Sequence, residues 1–266
     1  MPHVSIGDCR LYYERSGAGY PVLFITGLSG YASFWRDQIP AFSRNYDVIV
    51  YDHRGVGQSD QKGVAFLIEK LASDAIGLMD ALGIEKAHVV GHSAGGAVAQ
   101  ILAIEHAHRL ASIVIAAGWT KPDAYFRRIF ALRKEVLSRL GASAYVQANT
   151  LLLYPPHFIA NNNELLRQVE AQWLANFPAP ETISGRIDAI MAFDRTAELN
   201  RIRTPALVVA AQDDLIAPAY FAEELARRIP GAEAKFFPHG GHDFTRVVPR
   251  EFNQAVLPFL QAHTPV

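Results

Sequence analysis

The sequence predicts an α/β fold: a mostly parallel β-sheet flanked by helices, with a helical cap inserted into it. Three observations carry this reading. Short apolar runs rich in Val and Ile alternate with helical patterns, the succession expected of βαβ units. Those runs are apolar at nearly every position rather than at every second one, as in strands buried on both faces. Between residues 119 and 194 the strand signal stops, and helix formers mixed with aromatic residues and prolines replace it.

In chain order, residues 4–16 are polar and alternating, which suits an antiparallel edge. Residues 22–26, 48–51, 87–90, 113–117 and 206–211 read as buried strands, and 34–42, 68–82 and 96–106 as helices between them. This divides the chain into a core of residues 1–118 and 196–266 and a helical cap of residues 119–195. Inserts over the carboxyl ends of parallel strands commonly line a pocket.

With 266 residues, 50% of them hydrophobic and 19% charged, the chain can bury a core without covalent or metal staples. The formal net charge is −1 with Lys and Arg dispersed, so nothing marks a nucleic-acid or anionic-membrane partner. Cys9 is the single cysteine, which excludes an internal disulfide and a thiolate metal cluster. The amino-terminal residues lack a charged start followed by an apolar run, and no later run is long enough to span a bilayer. The expectation is a cytoplasmic monomer or homodimer acting on a small molecule.

Chemistry concentrates at Val89-Val90-Gly91-His92-Ser93-Ala94-Gly95-Gly96. A serine between glycines, where an apolar strand turns into a helix, is a nucleophile elbow. The turn strains the serine backbone, so positions two before and two after it must lack bulk. A serine hydroxyl is a poor nucleophile at neutral pH and needs an imidazole base oriented by a carboxylate. In this arrangement the acid follows a late strand and the histidine follows the last one. Asp214, in the loop before Pro218, is preferred over Asp213 as the acid; His242, beside Gly240 and Gly241, is preferred over His239 as the base. His53 and His157 are candidates to line a pocket. Backbone N–H groups of Ala94 and Leu28 are the expected oxyanion-hole donors. No metal is expected, because His239, His242 and Asp243 lack helical i, i+4 spacing and a further clustered ligand. No cofactor is expected either, because Asp52-His53-Arg54-Gly55-Val56-Gly57 lacks the helix and lysine of a phosphate loop.

Together these residues resemble the α/β-hydrolase superfamily over nearly the whole chain. The blocks are Gly27-Leu28, Asp52 to Ser59, Gly91-His92-Ser93-Ala94-Gly95, Asp214 and Gly241-His242. One departure is Thr26, where many members carry histidine; it alters pocket polarity and leaves the backbone donor in place. Within the superfamily the chain is similar to the aminoacrylate hydrolases of the Rut pyrimidine-utilisation pathway and their relatives among lactone and ester hydrolases. The shared features are Gly118-Trp119, Arg127-Arg128 followed by Phe130 and Arg133, Leu153-Tyr154-Pro155, Arg201-Ile202-Arg203 and Asp213-Asp214-Leu215.

The reading is therefore a serine hydrolase that cleaves an ester, lactone or amide-type bond in a small carboxylate-bearing metabolite. Alternatives are carbamate-like C–N hydrolysis, C–C bond hydrolysis, or a receptor that keeps the triad. From the cap, Trp119, Arg127, Arg128, Tyr154 and Trp173 are the expected substrate contacts. Arg127 or Arg128 would clamp a carboxylate, and at most one of two adjacent helical residues can face inward.

Overall fold

The alternation of apolar runs and helices resolves, in a computed structural model describing residues 2–61 and 66–265, into one sheet with helices on both faces. The first half comprises β1 (His3–Ile6), β2 (Cys9–Gly17), β3 (Tyr20–Ile25), α1 (Ile39–Phe42), β4 (Tyr46–Tyr51), α2 (Ile68–Ala81), β5 (Ala87–His92), α3 (Ala94–Glu105) and β6 (Leu110–Ala116). Four helices follow: α4 (Ala124–Leu153), α5 (Pro156–Asn161), α6 (Asn163–Ala175) and α7 (Pro180–Ala192). The chain then completes β7 (Ala206–Ala211), α8 (Ala219–Arg228), β8 (Glu233–Phe237), α9 (Phe244–Val247) and α10 (Pro249–Ala262).

The strand order is β1-β2-β4-β3-β5-β6-β7-β8. β2 pairs antiparallel with β1 and β4, and the remaining pairs are parallel. Strands β4 to β7 are buried at every position, as continuous apolar runs require. The polar start forms two strands that turn at Gly7, whose φ is 68°. The expected helix over 34–42 is broken into a 3-10 turn, Ala32–Trp35, and the short α1. Pro40 in the first turn of α1 has no N–H to continue a helix arriving from upstream.

The chain leaves β3 for β4 on one side and returns to β5 on the other, so the loops after β3 and β5 diverge and leave a crevice at their carboxyl ends. The helices α4 to α7 lie between β6 and β7, within the stretch read as a cap, and α4 packs on α6 and α7. Asp123 caps α4 by accepting from the Phe126 N–H at 2.8 Å. Non-helical backbone at Gly141, φ 81°, bends α4. No helix among the described residues is long and apolar enough to cross a membrane.

Arg54, in the glycine-rich block after β4, serves the core. Its Nε donates to Asp74 Oδ2 and its Nη2 to Asp74 Oδ1, both at 2.5 Å, with both side chains buried. This two-pronged bond ties the loop after β4 to α2. Removing Asp74 leaves the buried guanidinium with only the exposed Asp8 carboxylate, 3.1 Å from Nη2. Asp74→Ala is therefore expected to destabilise the protein by about 3–5 kcal/mol, measured by urea unfolding at neutral pH.

Candidate active site

The turn from β5 into α3 leaves Ser93 at φ 54° and ψ −116°, a conformation rare outside glycine. The strain is worth about 1–3 kcal/mol and is held by packing. The Ser93 N–H donates to the Ala116 carbonyl at 2.8 Å. A Cβ on Gly91 would come within 2.1 Å of the Gly95 carbonyl oxygen, and one on Gly95 within 2.0 Å of the Ile25 oxygen. Only glycine fits either place.

Ser93 Oγ lies 3.0 Å from His242 Nε2. On the other side of the ring, His242 Nδ1 is 2.8 Å from Asp214 Oδ2 and 3.1 Å from Oδ1. Because a carboxylate only accepts, Nδ1 carries the proton and Nε2 presents its lone pair to the serine hydroxyl. Asp214 is itself fixed: its Oδ1 accepts from the N–H groups of Ile216 at 2.7 Å and Ala217 at 2.9 Å. All three side chains are buried.

The rivals take other places. Asp213 Oδ1 accepts from the Gly241 N–H at 2.8 Å, so it braces the loop that carries His242. His239 is exposed, its ring 5.7 Å from that of His157. The Asp243 N–H donates to the Leu153 carbonyl at the end of α4, at 3.1 Å. His92, unassigned from sequence, is a second brace: its Nε2 donates to the His242 carbonyl at 2.9 Å.

Leu28 and Ala94 lie on either side of the serine. A Cβ on Gly27 would sit 3.0 Å from Ser93 Cβ, so the Gly27–Leu28 peptide passes directly beside the nucleophile. Ala94 is the first residue of α3, where backbone N–H groups lack helical acceptors and the helix dipole favours negative charge. The Thr26 hydroxyl donates to the Tyr31 carbonyl at 3.1 Å and does not line the cavity.

A cavity of about 640 Å³ opens over Ser93 and His242, lined by both the core and the insert. Tyr154 and Trp173 line it as expected; Trp119, Arg127, Arg128, His53 and His157 do not. Trp119 is fully buried against Phe126 and Phe193, at ring separations of 5.0 and 5.8 Å. Arg127 and Arg128 are exposed, because the buried stripe of α4 runs through Phe126, Ile129, Phe130, Arg133 and Leu137. That i, i+3, i+4, i+7 spacing turns Arg133 inward. Its guanidinium lies 4.8 Å from the Phe130 ring centre and 5.8 Å from that of Tyr145. Arg133 Nη2 reaches the Tyr145 hydroxyl at 3.4 Å, whereas its Nε has no acceptor among the described residues. Trp173 Nε1 likewise has none. Arg246 Nη1 donates to the Tyr154 hydroxyl at 3.2 Å. Burial, with Asp243 nearby, raises that phenol far above its ordinary pKa.

A second inward arginine sits on α7, again in step with its stripe of Ile183, Ile187 and Ile190. Arg186 is fully enclosed beneath the loop after β3. It donates to the Leu28 carbonyl at 2.7 Å, the Gly27 carbonyl at 3.3 Å and His53 Nδ1 at 2.8 Å. No group of three His, Cys, Asp or Glu side chains suited to a metal ion occurs among the described residues.

A sequence model of the alpha/beta hydrolase fold matches residues 20–245. A protein of Azorhizobium caulinodans named "Putative carbamate hydrolase RutD" is 42% identical over 259 residues, 97% of this chain and 98% of its own. Among solved structures, an enol-lactonase from Burkholderia xenovorans LB400 superposes with a TM-score of 0.90 at 25% identity, over 98% of this chain and 100% of its own. A thermophilic esterase from Thermogutta terrifontis, with malate bound, does so at 0.86 and 27% identity over 96% and 95%.

Three buried imidazoles give the fold an acid limit, one of them His53, which burial and then Arg186 hold well below the ordinary imidazole range. Burial, helped by His242, lowers His92 to about 4, and burial, helped by His263, lowers His88 to about 4. Each takes up a proton more readily in the unfolded chain, near 6.5. The stability they allow is intact above pH 6.5 and is lost as pH falls toward 4. Thermal unfolding followed across that range is expected to show the decline, and His88→Gln is expected to make it shallower.

Proposed function

Since the chain belongs to the α/β-hydrolase fold family and is a hydrolase, we propose that it is a serine hydrolase working through an acyl-enzyme on an ester, lactone or amide-type bond. The observation that carries this is the relay from Ser93 Oγ through the His242 ring to Asp214. Ser93 Oγ attacks the substrate carbonyl carbon as His242 Nε2 takes the hydroxyl proton. The carbonyl electron pair moves onto oxygen, which the Leu28 and Ala94 N–H groups receive. Collapse of the tetrahedral adduct expels the leaving group, protonated by His242, and leaves the acyl group on Ser93. Water, deprotonated by the same nitrogen, then attacks the ester and releases the acid and free serine. Asp214 holds the ring in the tautomer both halves require.

The substrate is a small molecule bearing a carboxylate. Supporting this, the cavity wall offers the Arg133 guanidinium, buried and lacking an acidic partner among the described residues, with the Trp173 N–H nearby on the same wall. A buried cation of this kind is best compensated by an anion from outside. The malate bound to the Thermogutta esterase is a dicarboxylate, in keeping with this preference. A second reading, C–N cleavage of a carbamate, is favoured by the name of the Azorhizobium relative; it uses the same steps with an amine as leaving group.

Incubation with a fluorophosphonate is expected to add its mass at Ser93, and Ser93→Ala to lower kcat at least about ten-thousandfold. An unlabelled, folded protein would overturn the proposal. Arg133→Met is expected to raise KM about 10- to 100-fold for carboxylate-bearing esters, the worth of one charged hydrogen bond, and to leave neutral esters unchanged. Parallel assays of esters, lactones and carbamates separate the two readings.

A further inference from the structure

Arg186 is a cation sealed in the protein with no carboxylate bonded to it among the described residues. Burial draws its pKa down to about 10, so it remains charged at neutral pH. Uncompensated charge in an interior is costly, and its surroundings show where that charge is directed. Its acceptors are three main-chain carbonyls, the consecutive pair Gly27 and Leu28 and, at 3.5 Å, Arg54, and one imidazole nitrogen. His53 is held neutral by burial and by the arginine itself, so its Nδ1 can accept. The Phe66 ring, 5.9 Å away, closes another side.

The Gly27 carbonyl and the Leu28 N–H belong to one peptide group. In a trans peptide the two point in opposite directions, so Arg186 Nη2 at 3.3 Å and the Gly30 N–H at 3.1 Å, which both donate to the Gly27 carbonyl, hold it on the side away from the Leu28 N–H. Hydrogen bonding at the carbonyl also polarises the N–H on the far side, strengthening it by about 10–30% as a donor. The bond to the Leu28 carbonyl fixes the following peptide as well, so neither flanking torsion of Leu28 is free to turn the donor away.

We propose that Arg186 is a positioning residue that orients and polarises the Gly27–Leu28 peptide, making the Leu28 N–H a preorganised oxyanion donor. This rests on the acyl-enzyme reading above. It also makes the oxyanion hole a joint product of the sheet and the insert, because the peptide comes from the loop after β3 and the guanidinium from α7. Lysine cannot replace it fully: a single ammonium does not reproduce the planar fork that spans three carbonyls and a ring nitrogen.

The test uses a neutral activated ester, on which the carboxylate contacts have no bearing, and an aryl trifluoromethyl ketone, whose serine adduct places an oxyanion in the hole. Arg186→Met is expected to lower kcat about 10- to 100-fold, short of the loss on deleting a donor outright, with KM little changed. The inhibition constant of the ketone should weaken by the same factor as kcat/KM, and Arg186→Lys should recover part of both. A folded Met variant with kcat within about twofold of wild type, or with its whole loss in KM and none in ketone binding, would reduce Arg186 to a tether for the insert. Should the Met variant not fold, Arg186→Gln is read by the same two assays and criteria. Fluorophosphonate labelling separates the two readings: a wild type not labelled at Ser93 removes both, whereas a labelled wild type with an indifferent Arg186 variant removes only this one.

Discussion

Everything at the site depends on one crowded reversal of the main chain. The backbone of β5 must turn into α3 where the end of β3 crosses close above, with room for hydrogen but not for carbon at two positions. Gly91 and Gly95 meet that demand, and the serine between them absorbs the remaining strain. Because the reversal stands at the crevice where the loops leave the sheet in opposite directions, its hydroxyl emerges beside the loop after β3. The imidazole and carboxylate arrive from the ends of β8 and β7. A rigid sheet thereby sets distances among residues far apart in the sequence.

The parts of this arrangement that obey local rules were legible in the sequence. Continuous apolar runs marked β3 to β7, and the paired glycines marked the turn, since both reflect packing at the residue itself. The choice of Asp214 over Asp213 was harder. Adjacent carboxylates differ only in which way the loop turns them, and here one meets His242 while the other braces Gly241. The break in the helix over 34–42 was signalled by Pro40, whose missing N–H outweighs the apolar spacing around it.

The cavity wall was read less well, for an identifiable reason. Arg127 and Arg128 stand out as a charged pair, yet they fall off the apolar stripe of α4 and face water. Arg133 and Arg186 are each in register with leucine, isoleucine or phenylalanine three and four positions away. A charge on a buried stripe violates patterning, and such violations concentrate at functional sites. Helical phase, rather than clustering of charge, is the signal that distinguishes the two pairs. Trp119 shows the converse: its bulk and position beside the insert suggested a ligand contact, but it fills the space beneath α4.

The insert is tied to the loops around the site on both sides, with Tyr154 and Asn176 adding bonds to Arg246 and Tyr31. Its first long helix ends in the Leu153 carbonyl that receives the Asp243 amide, and its last carries the guanidinium under Leu28. Swapping this segment for that of a distant cousin would therefore transplant more than a new binding wall. Unless the recipient kept an acceptor at the one junction and a forked cation at the other, the exchange would slacken both jaws of the machinery at once. Natural diversification of specificity is freest in the stretch between these two anchors, along α5 and α6.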